Sequence, residues 1–177
     1  MLPILLALAI IAILLFIVVT GQPDQFVVSR SAGISAPAET IFPLVNTLRS
    51  WDAWSPWAKL DPNARNSFSG PDAGVGSSMA WSGNKKVGEG RMTITESHPN
   101  QSIGLKLEFL RPFKSTNTAE FEFKFDGSQT LVIWNMTGAS NVFFKVFGLV
   151  VDCDSMAGRD FEKGLASLKS VAEAPAK

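Results

Sequence analysis

The chain has 177 residues, of which 46% are hydrophobic and 18% are charged, and this size and composition fit one globular domain with a single core. Sixteen basic and sixteen acidic residues cancel, and no run of lysine and arginine forms a basic surface, so we predict no nucleic-acid partner. The single cysteine, Cys153, has no second cysteine to pair with and lies in no cluster of metal ligands. We therefore predict no metal and no cofactor.

The first segment of the chain, residues 2–19, contains no charged side chain. As an α-helix it would be about 27 Å long, close to the ~30 Å hydrocarbon core of a bilayer. We predict a single-pass membrane anchor at 2–19, a linker at 20–25, a folded domain at 26–173 and a tail at 174–177. A cleaved signal peptide is the alternative, although the apolar stretch exceeds the usual length and no basic residue precedes it. Charge does not indicate which side of the membrane the domain occupies.

The linker is followed by a pattern typical of a strand and then of a short helix. Alternation predicts a strand over 26–34, in which Phe26, Val28, Arg30, Ala32 and Ile34 share one face. Pro37 then starts a short helix. The tryptophan-rich segment after it contains Pro56, so we expect a compact loop or a broken helix there.

Six further strands are indicated by alternation between turn residues. They are predicted over 65–70, 77–82, 87–97, 103–109, 119–125 and 130–138. Short turns between successive strands favour antiparallel pairing.

A final amphipathic helix is predicted over 152–172, because apolar residues recur there at steps of three and four. Such a helix must bury its apolar face against the strands, which predicts an α+β fold with a curved antiparallel sheet of about seven strands around a long C-terminal helix. Gly158 and Gly164 each cost the helix about 1 kcal/mol relative to alanine. They indicate either close backbone packing or space kept for a ligand.

An ordered set of segments carries a family resemblance: Trp54-Ser-Pro-Trp57, Val87-Gly-Glu-Gly90, Pro112-Phe113, Thr130 to Trp134 and Asp160 to Lys169. In this order they resemble the SRPBCC (START/Bet v 1-like) superfamily, and more narrowly bacterial polyketide cyclase/dehydrase and lipid-transport-like proteins. The resemblance implies a helix-grip fold with a cavity between sheet and C-terminal helix that holds apolar ligands. It also implies a bacterial inner-membrane location, since several members have an N-terminal membrane segment. Activities vary across the superfamily, so none is transferred.

The predicted ligand-binding residues are large inward side chains and the helix glycine. They are Trp54, Trp57, Met79, Trp81, Phe109, Phe123, Trp134, Met136, Gly158 and Phe161. Each large side chain has two interpretations, a filled core or a cavity wall. Trp54 and Trp57 are expected to close one end of the domain, either by packing or as a gate.

We predict no catalytic residue. The single histidine, His98, lies in a His-Pro-Asn turn, where it would be far from an apolar cavity. Asp152, Asp154 and Asp160 are explained by capping at a helix start rather than by a metal.

The apolar stretch 143–151 has three interpretations: the buried first turns of the last helix, a lid over the cavity, or a surface that lies on the bilayer. The leading functional hypothesis is a membrane-anchored module that binds or transports a small hydrophobic molecule. A cyclase- or dehydratase-type enzyme and a membrane-tethered protein-interaction scaffold are the alternatives.

Overall fold

The computed structural model describes residues 2–140, 142–149 and 153–175. Its helices are α1 (Leu2–Thr20), α2 (Ala38–Asn46), α3 (Val142–Gly148) and α4 (Cys153–Ala172), with a short 3-10 helix at Leu48–Ala53. Its strands are β1 (Gln25–Ile34), β2 (Arg65–Ser69), β3 (Ser78–Ser82), β4 (Glu89–His98), β5 (Ser102–Arg111), β6 (Ser115–Asp126) and β7 (Gln129–Ala139). The predicted start of the last helix at Asp152 and the last two residues of the predicted tail lie outside the described residues.

The seven strands form one antiparallel sheet in the order β1-β7-β6-β5-β4-β3-β2. Six consecutive strands pair as a meander, and β1 closes the sheet by pairing with β7. α4 packs on the concave face and lies closest to β1. The predicted α+β helix-grip architecture is confirmed.

Alternation in β6 shows why the sheet has one apolar face. Phe121 and Phe123 are buried, whereas Glu120 before them and Lys124 after them are exposed and Glu122 between them is half-buried. Because successive side chains of a strand point to opposite faces, this pattern directs the phenylalanines towards α4 and the charged residues towards solvent.

The segment between β1 and β2 closes one end of the domain. The indole nitrogens of Trp51 and Trp54 donate hydrogen bonds to the carbonyls of Val45 and Leu44, both at 2.9 Å. Pro43 lies inside α2, which ends at Asn46, and the chain continues as the 3-10 helix. These bonds fix two large rings in the core, where Trp51 and Trp54 are 4% and 1% exposed.

The predicted single-pass membrane location is contradicted. Crossing a bilayer takes about 20 consecutive, predominantly apolar helical residues. Among the residues that the structure describes, no helix combines the length and the apolar character that this requires.

The apolar stretch before α4 forms a helix of its own, α3. Lys145 on α3 is buried, and its ammonium donates to the carbonyl of Gln22 at 2.9 Å and to the Asp24 carboxylate at 2.6 Å. The hydrogen bond from Lys145, followed by its positive charge, lowers the pKa of Asp24. α3 is thus attached to the segment that precedes β1. The side chains of several residues in 143–151 lie outside the described residues.

Candidate functional site

The concave face of the sheet is made of transverse rows of paired residues. We call the row that contains Ile103, Phe121, Trp134 and Arg30 the Trp134 row, and the row that contains Met79, Met92, Leu107, Asn117, Gly138 and Phe26 the Asn117 row. The two rows are separated by four residues along β1, β5, β6 and β7, so they lie about 13 Å apart on the sheet.

The Trp134 row is filled with stacked aromatic rings. Trp134 stacks on Phe161 of α4 with ring centroids 4.0 Å apart and an interplanar angle of 5°. Phe121 stacks on the same indole at 4.8 Å, and the ring of Trp54 meets it edge-on at 5.8 Å. Trp134 is 3% exposed and Phe161 is 2% exposed. Three predicted site residues, Trp54, Trp134 and Phe161, therefore lie together in the packed core.

Burial decreases along the concave face from the Trp134 row towards the Asn117 row. On β5, Ile103 and Leu105 are 0% exposed, whereas Leu107 and Phe109 are half-buried. On β7, Trp134 is buried and Met136 is half-buried. The inward-facing half-buried side chains at this end are Phe26, Trp57, Trp81, Leu107, Phe109 and Met136. We call this set the open end.

Four of the ten predicted ligand-binding residues belong to the open end: Trp57, Trp81, Phe109 and Met136. Trp57 meets Trp134 edge-on at 5.8 Å and so joins the open end to the packed core. Trp81 meets Phe109 edge-on at 5.7 Å, and a side chain added at Gly90 would collide with the Trp81 ring. Gly90 thus lets that indole lie close to the β4 backbone. Met79, also predicted, is 9% exposed in the Asn117 row beside Met92.

Gly158 lies under the side chain of Arg30. A Cβ added at Gly158 would overlap the Arg30 guanidinium, which therefore occupies the space next to this glycine. The guanidinium donates to both carboxylate oxygens of Asp154, at 3.1 and 3.0 Å, and its Nε donates to Glu162 at 3.0 Å. These hydrogen bonds, that to Asp154 first, raise the pKa of Arg30. Asp154, Gly158 and Glu162 follow one another at steps of four along one stripe of α4.

Gly164 is the second helix glycine, and it permits close contact with two rigid rings. A Cβ added there would lie 2.8 Å from Cζ3 of Trp134 and 3.1 Å from Cδ of Pro56. The absence of a side chain lets the aromatic cluster press directly on the α4 backbone.

An open groove of about 630 Å³ lies elsewhere, between the start of α2 and the β6–β7 hairpin. Phe123 lines this groove and is 6% exposed, and Phe125 lines its rim and is 84% exposed. Phe123 also meets Phe42 at 5.7 Å. This predicted site residue is therefore separated along β6 from the open end.

Phe26 and Leu107 of the open end, and Asn117 beside them, were not among the predicted ligand-binding residues. Alternation in β1 and β5 places Phe26 and Leu107 on the inner face, and this signal was available in the sequence. Asn117 lies four residues before Phe121, but the predicted strand began only at 119. In the described part of the chain, no group of three histidine, cysteine, aspartate or glutamate side chains is placed to hold a metal ion.

Comparison with solved structures shows the same fold in proteins of low identity. The Aha1 dimer from Colwellia psychrerythraea superimposes with a TM-score of 0.61 at 19% identity, over 86% of this chain and 99% of that chain. Protein MLL2253 from Mesorhizobium loti gives 0.63 at 13% identity, over 86% and 100% of the two chains. The di-domain ARO/CYC BexL from the BE-7585A biosynthetic pathway gives 0.62 at 16% identity, over 90% and 53%.

Sequence comparison gives the family. No curated protein matches the chain. A family model described as polyketide cyclase / dehydrase and lipid transport matches residues 25–173, which include the whole sheet and α4. The chain belongs to the polyketide cyclase / dehydrase and lipid transport family.

Proposed function

We propose that this protein binds a small, mainly apolar molecule at the open end of the concave face, between the sheet and the N-terminal half of α4. The observation that carries the proposal is the decrease in burial along β5, from Leu105 at 0% exposure to the half-buried Leu107 and Phe109. Apolar side chains that face inwards and remain partly uncovered favour an apolar occupant. Family membership supports the same class of ligand.

The burial of side chains along α4 supports this location. Phe161, Leu165 and Leu168 are each at most 2% exposed, whereas Ala157, one turn before Phe161, is half-buried. A ligand held by the helix would therefore contact its first turns rather than its last. The predicted site residues Trp57, Trp81, Phe109 and Met136 would form its walls, and Gly158 would instead support Arg30.

We propose that the protein binds this molecule without transferring a proton to or from it. Arg30 is the charged side chain of the Trp134 row, and two carboxylates already engage it. Its hydrogen bonds raise its pKa, so it stays protonated and is unsuited to accept a proton.

The test fills the open end from β5 and uses the neighbouring inward residue as a control. The purified full-length chain is titrated with the fluorescent apolar probe N-phenyl-1-naphthylamine. Leu107→Trp should weaken probe affinity by about tenfold or more while the protein stays folded, because the added ring occupies partly empty space. Leu105→Trp adds the same volume to a fully buried position and should destabilise the fold by about 1–3 kcal/mol. The proposal would be refuted if the parent showed no saturable probe binding. It would also be refuted if a folded Leu107→Trp variant bound the probe with unchanged affinity.

A further inference from the structure

Asn117 is the polar side chain of the Asn117 row. Its partners across the sheet are Leu107 on β5 and Gly138 on β7. The remaining side chains of the row are those of Met79, Met92 and Phe26, so a carboxamide is placed on an otherwise apolar surface. Asn117 is 7% exposed.

The amide oxygen of Asn117 has no hydrogen-bond partner among the described residues, although it is buried. Trp134 Nε1, an N–H donor in the packed core, is also unpaired within the described part of the chain. Two other polar side chains are paired: Thr130 donates to the Ala36 carbonyl at 2.7 Å, and Ser97 donates to the Asn46 amide oxygen at 2.8 Å. An unpaired buried acceptor costs about 1–3 kcal/mol. A leucine at position 117 would avoid this cost. The stability of the sheet therefore does not explain why the chain has an asparagine there.

Gly138 provides the room for this amide. A Cβ added at Gly138 would overlap the Asn117 amide oxygen and would lie 2.6 Å from Cε1 of Phe26. The oxygen therefore lies over a bare stretch of β7 and next to an aromatic ring of the open end.

We propose that the Asn117 amide oxygen accepts a hydrogen bond from a hydroxyl or amide N–H of the bound ligand. The inference rests on the proposed function and narrows its ligand class to a mainly apolar, uncharged molecule with a hydrogen-bond donor. The donor is neutral because the other side chains of the Asn117 row are apolar and supply no counter-charge. Asn117 then fixes the ligand's orientation while the apolar surface supplies most of the affinity.

The experiment compares two probes of nearly the same shape, 2-naphthol and 2-methylnaphthalene, on the full-length chain. The ratio of their dissociation constants isolates the contribution of the hydroxyl. Asn117→Leu should shift this ratio by about tenfold against 2-naphthol, which corresponds to loss of one hydrogen bond. Asn117→Ala, which adds no bulk, should shift it in the same direction.

The thermal unfolding midpoint is a second readout. If Asn117 had only a structural role, its replacement would lower the midpoint. Asn117→Leu should raise the unfolding midpoint, because it removes an unpaired buried acceptor. Thr130→Val, the control, removes a satisfied hydroxyl from the same face and should lower the midpoint while leaving the probe ratio unchanged.

The role of Asn117 and ligand binding at the open end can be refuted separately. If both probes bind the parent and the ratio stays the same in Asn117→Leu and Asn117→Ala, the role of Asn117 is refuted and the proposed function stands. If neither probe binds the parent saturably, the proposed function fails and this inference fails with it.

Discussion

The guanidinium of Arg30 lies over Gly158, in the space that a side chain at this helix position would fill. β1 and α4 are joined by this contact, since the same guanidinium binds Asp154 one turn before the glycine and Glu162 one turn after it. The glycine therefore disfavours the isolated helix but permits an ion-pair network that attaches the helix to the edge of the sheet.

Arg30 and Gly158 should behave as a coupled pair. In the parent, Arg30→Ala should lower the thermal unfolding midpoint, because it leaves two carboxylates without their cation. In a Gly158→Ala background the new methyl group already displaces the guanidinium, so Arg30→Ala should have little further effect. Lys114→Ala, at an exposed position, serves as the control and should give the same small change in both backgrounds. Additive effects of Arg30→Ala and Gly158→Ala would contradict the contact.

The stacked ring of Phe161 should be a major source of stability. Phe161→Ala removes a side chain that is 2% exposed and stacked on Trp134, and should reduce the free energy of unfolding by about 3–5 kcal/mol. Phe125→Ala is the matched control, because that ring is 84% exposed; it should change stability by less than about 0.5 kcal/mol. Urea titration measures both, and similar losses would mean that the packed core is wrongly located.

Gly164→Ala should destabilise the protein although alanine is the better helix former. The added methyl group would lie 2.8 Å from the Trp134 ring and 3.1 Å from Pro56, and neither ring is flexible. We expect a net loss of about 1–2 kcal/mol, since overpacking exceeds the gain of about 1 kcal/mol in helix propensity. Gly148→Ala, with open space around it, should be neutral or stabilising. Equal effects of the two substitutions in urea titrations would count against close packing at Gly164.

The end of α4 should carry a pH-dependent contribution to stability. Glu173 accepts hydrogen bonds from Lys169 Nζ at 2.8 Å and from the backbone N–H of Ser35 at 2.6 Å. These bonds, Lys169 first, lower the pKa of Glu173. A carboxyl whose pKa is lower in the folded state contributes its full stabilisation above its unfolded pKa of about 4.3 and loses it as pH falls through the folded value.

Replacing Glu173 should therefore matter at neutral pH and not in strong acid. Glu173→Gln should lower the urea midpoint at pH 7, and its difference from the parent should shrink as the pH is lowered below about 4. Glu120→Gln, at an exposed position on the outer face, should show no such trend. A difference that is constant from pH 7 to pH 2.5 would contradict the role of the Glu173 carboxylate.

The order of the elements could be predicted from the sequence because alternation and helical spacing are local patterns. The strand over 26–34 and the helix ending at 172 match β1 and α4 within one residue at the ends that the structure describes. Alternation also places Arg30 on the same face of β1 as four apolar residues. It could not show that Arg30 reaches Gly158, because the position of a helix along a sheet depends on contacts between residues more than a hundred positions apart.

The division of the concave face into a packed core and an open end could not be predicted for the same reason. Trp134 and Trp81 are both tryptophans at inward positions of strands, and nothing in their own segments separates them. Their burial differs because their ring partners differ. Trp134 stacks on Phe161 of α4, whereas Trp81 meets the ring of Phe109 edge-on and both rings are half-buried. Asn117 lies before the predicted strand, which begins at 119, whereas β6 begins at Ser115.

The most direct test of ligand binding at the open end uses the methionine methyl groups. The chain has five methionines, and Met92 and Met136 lie on the concave face beside Leu107 and Ala119. The full-length chain with ¹³C-labelled methionine methyl groups is titrated with N-phenyl-1-naphthylamine and followed by NMR. We expect the Met92 and Met136 signals to shift saturably with the dissociation constant given by probe fluorescence. Saturable probe fluorescence with both signals unmoved would contradict binding at the open end.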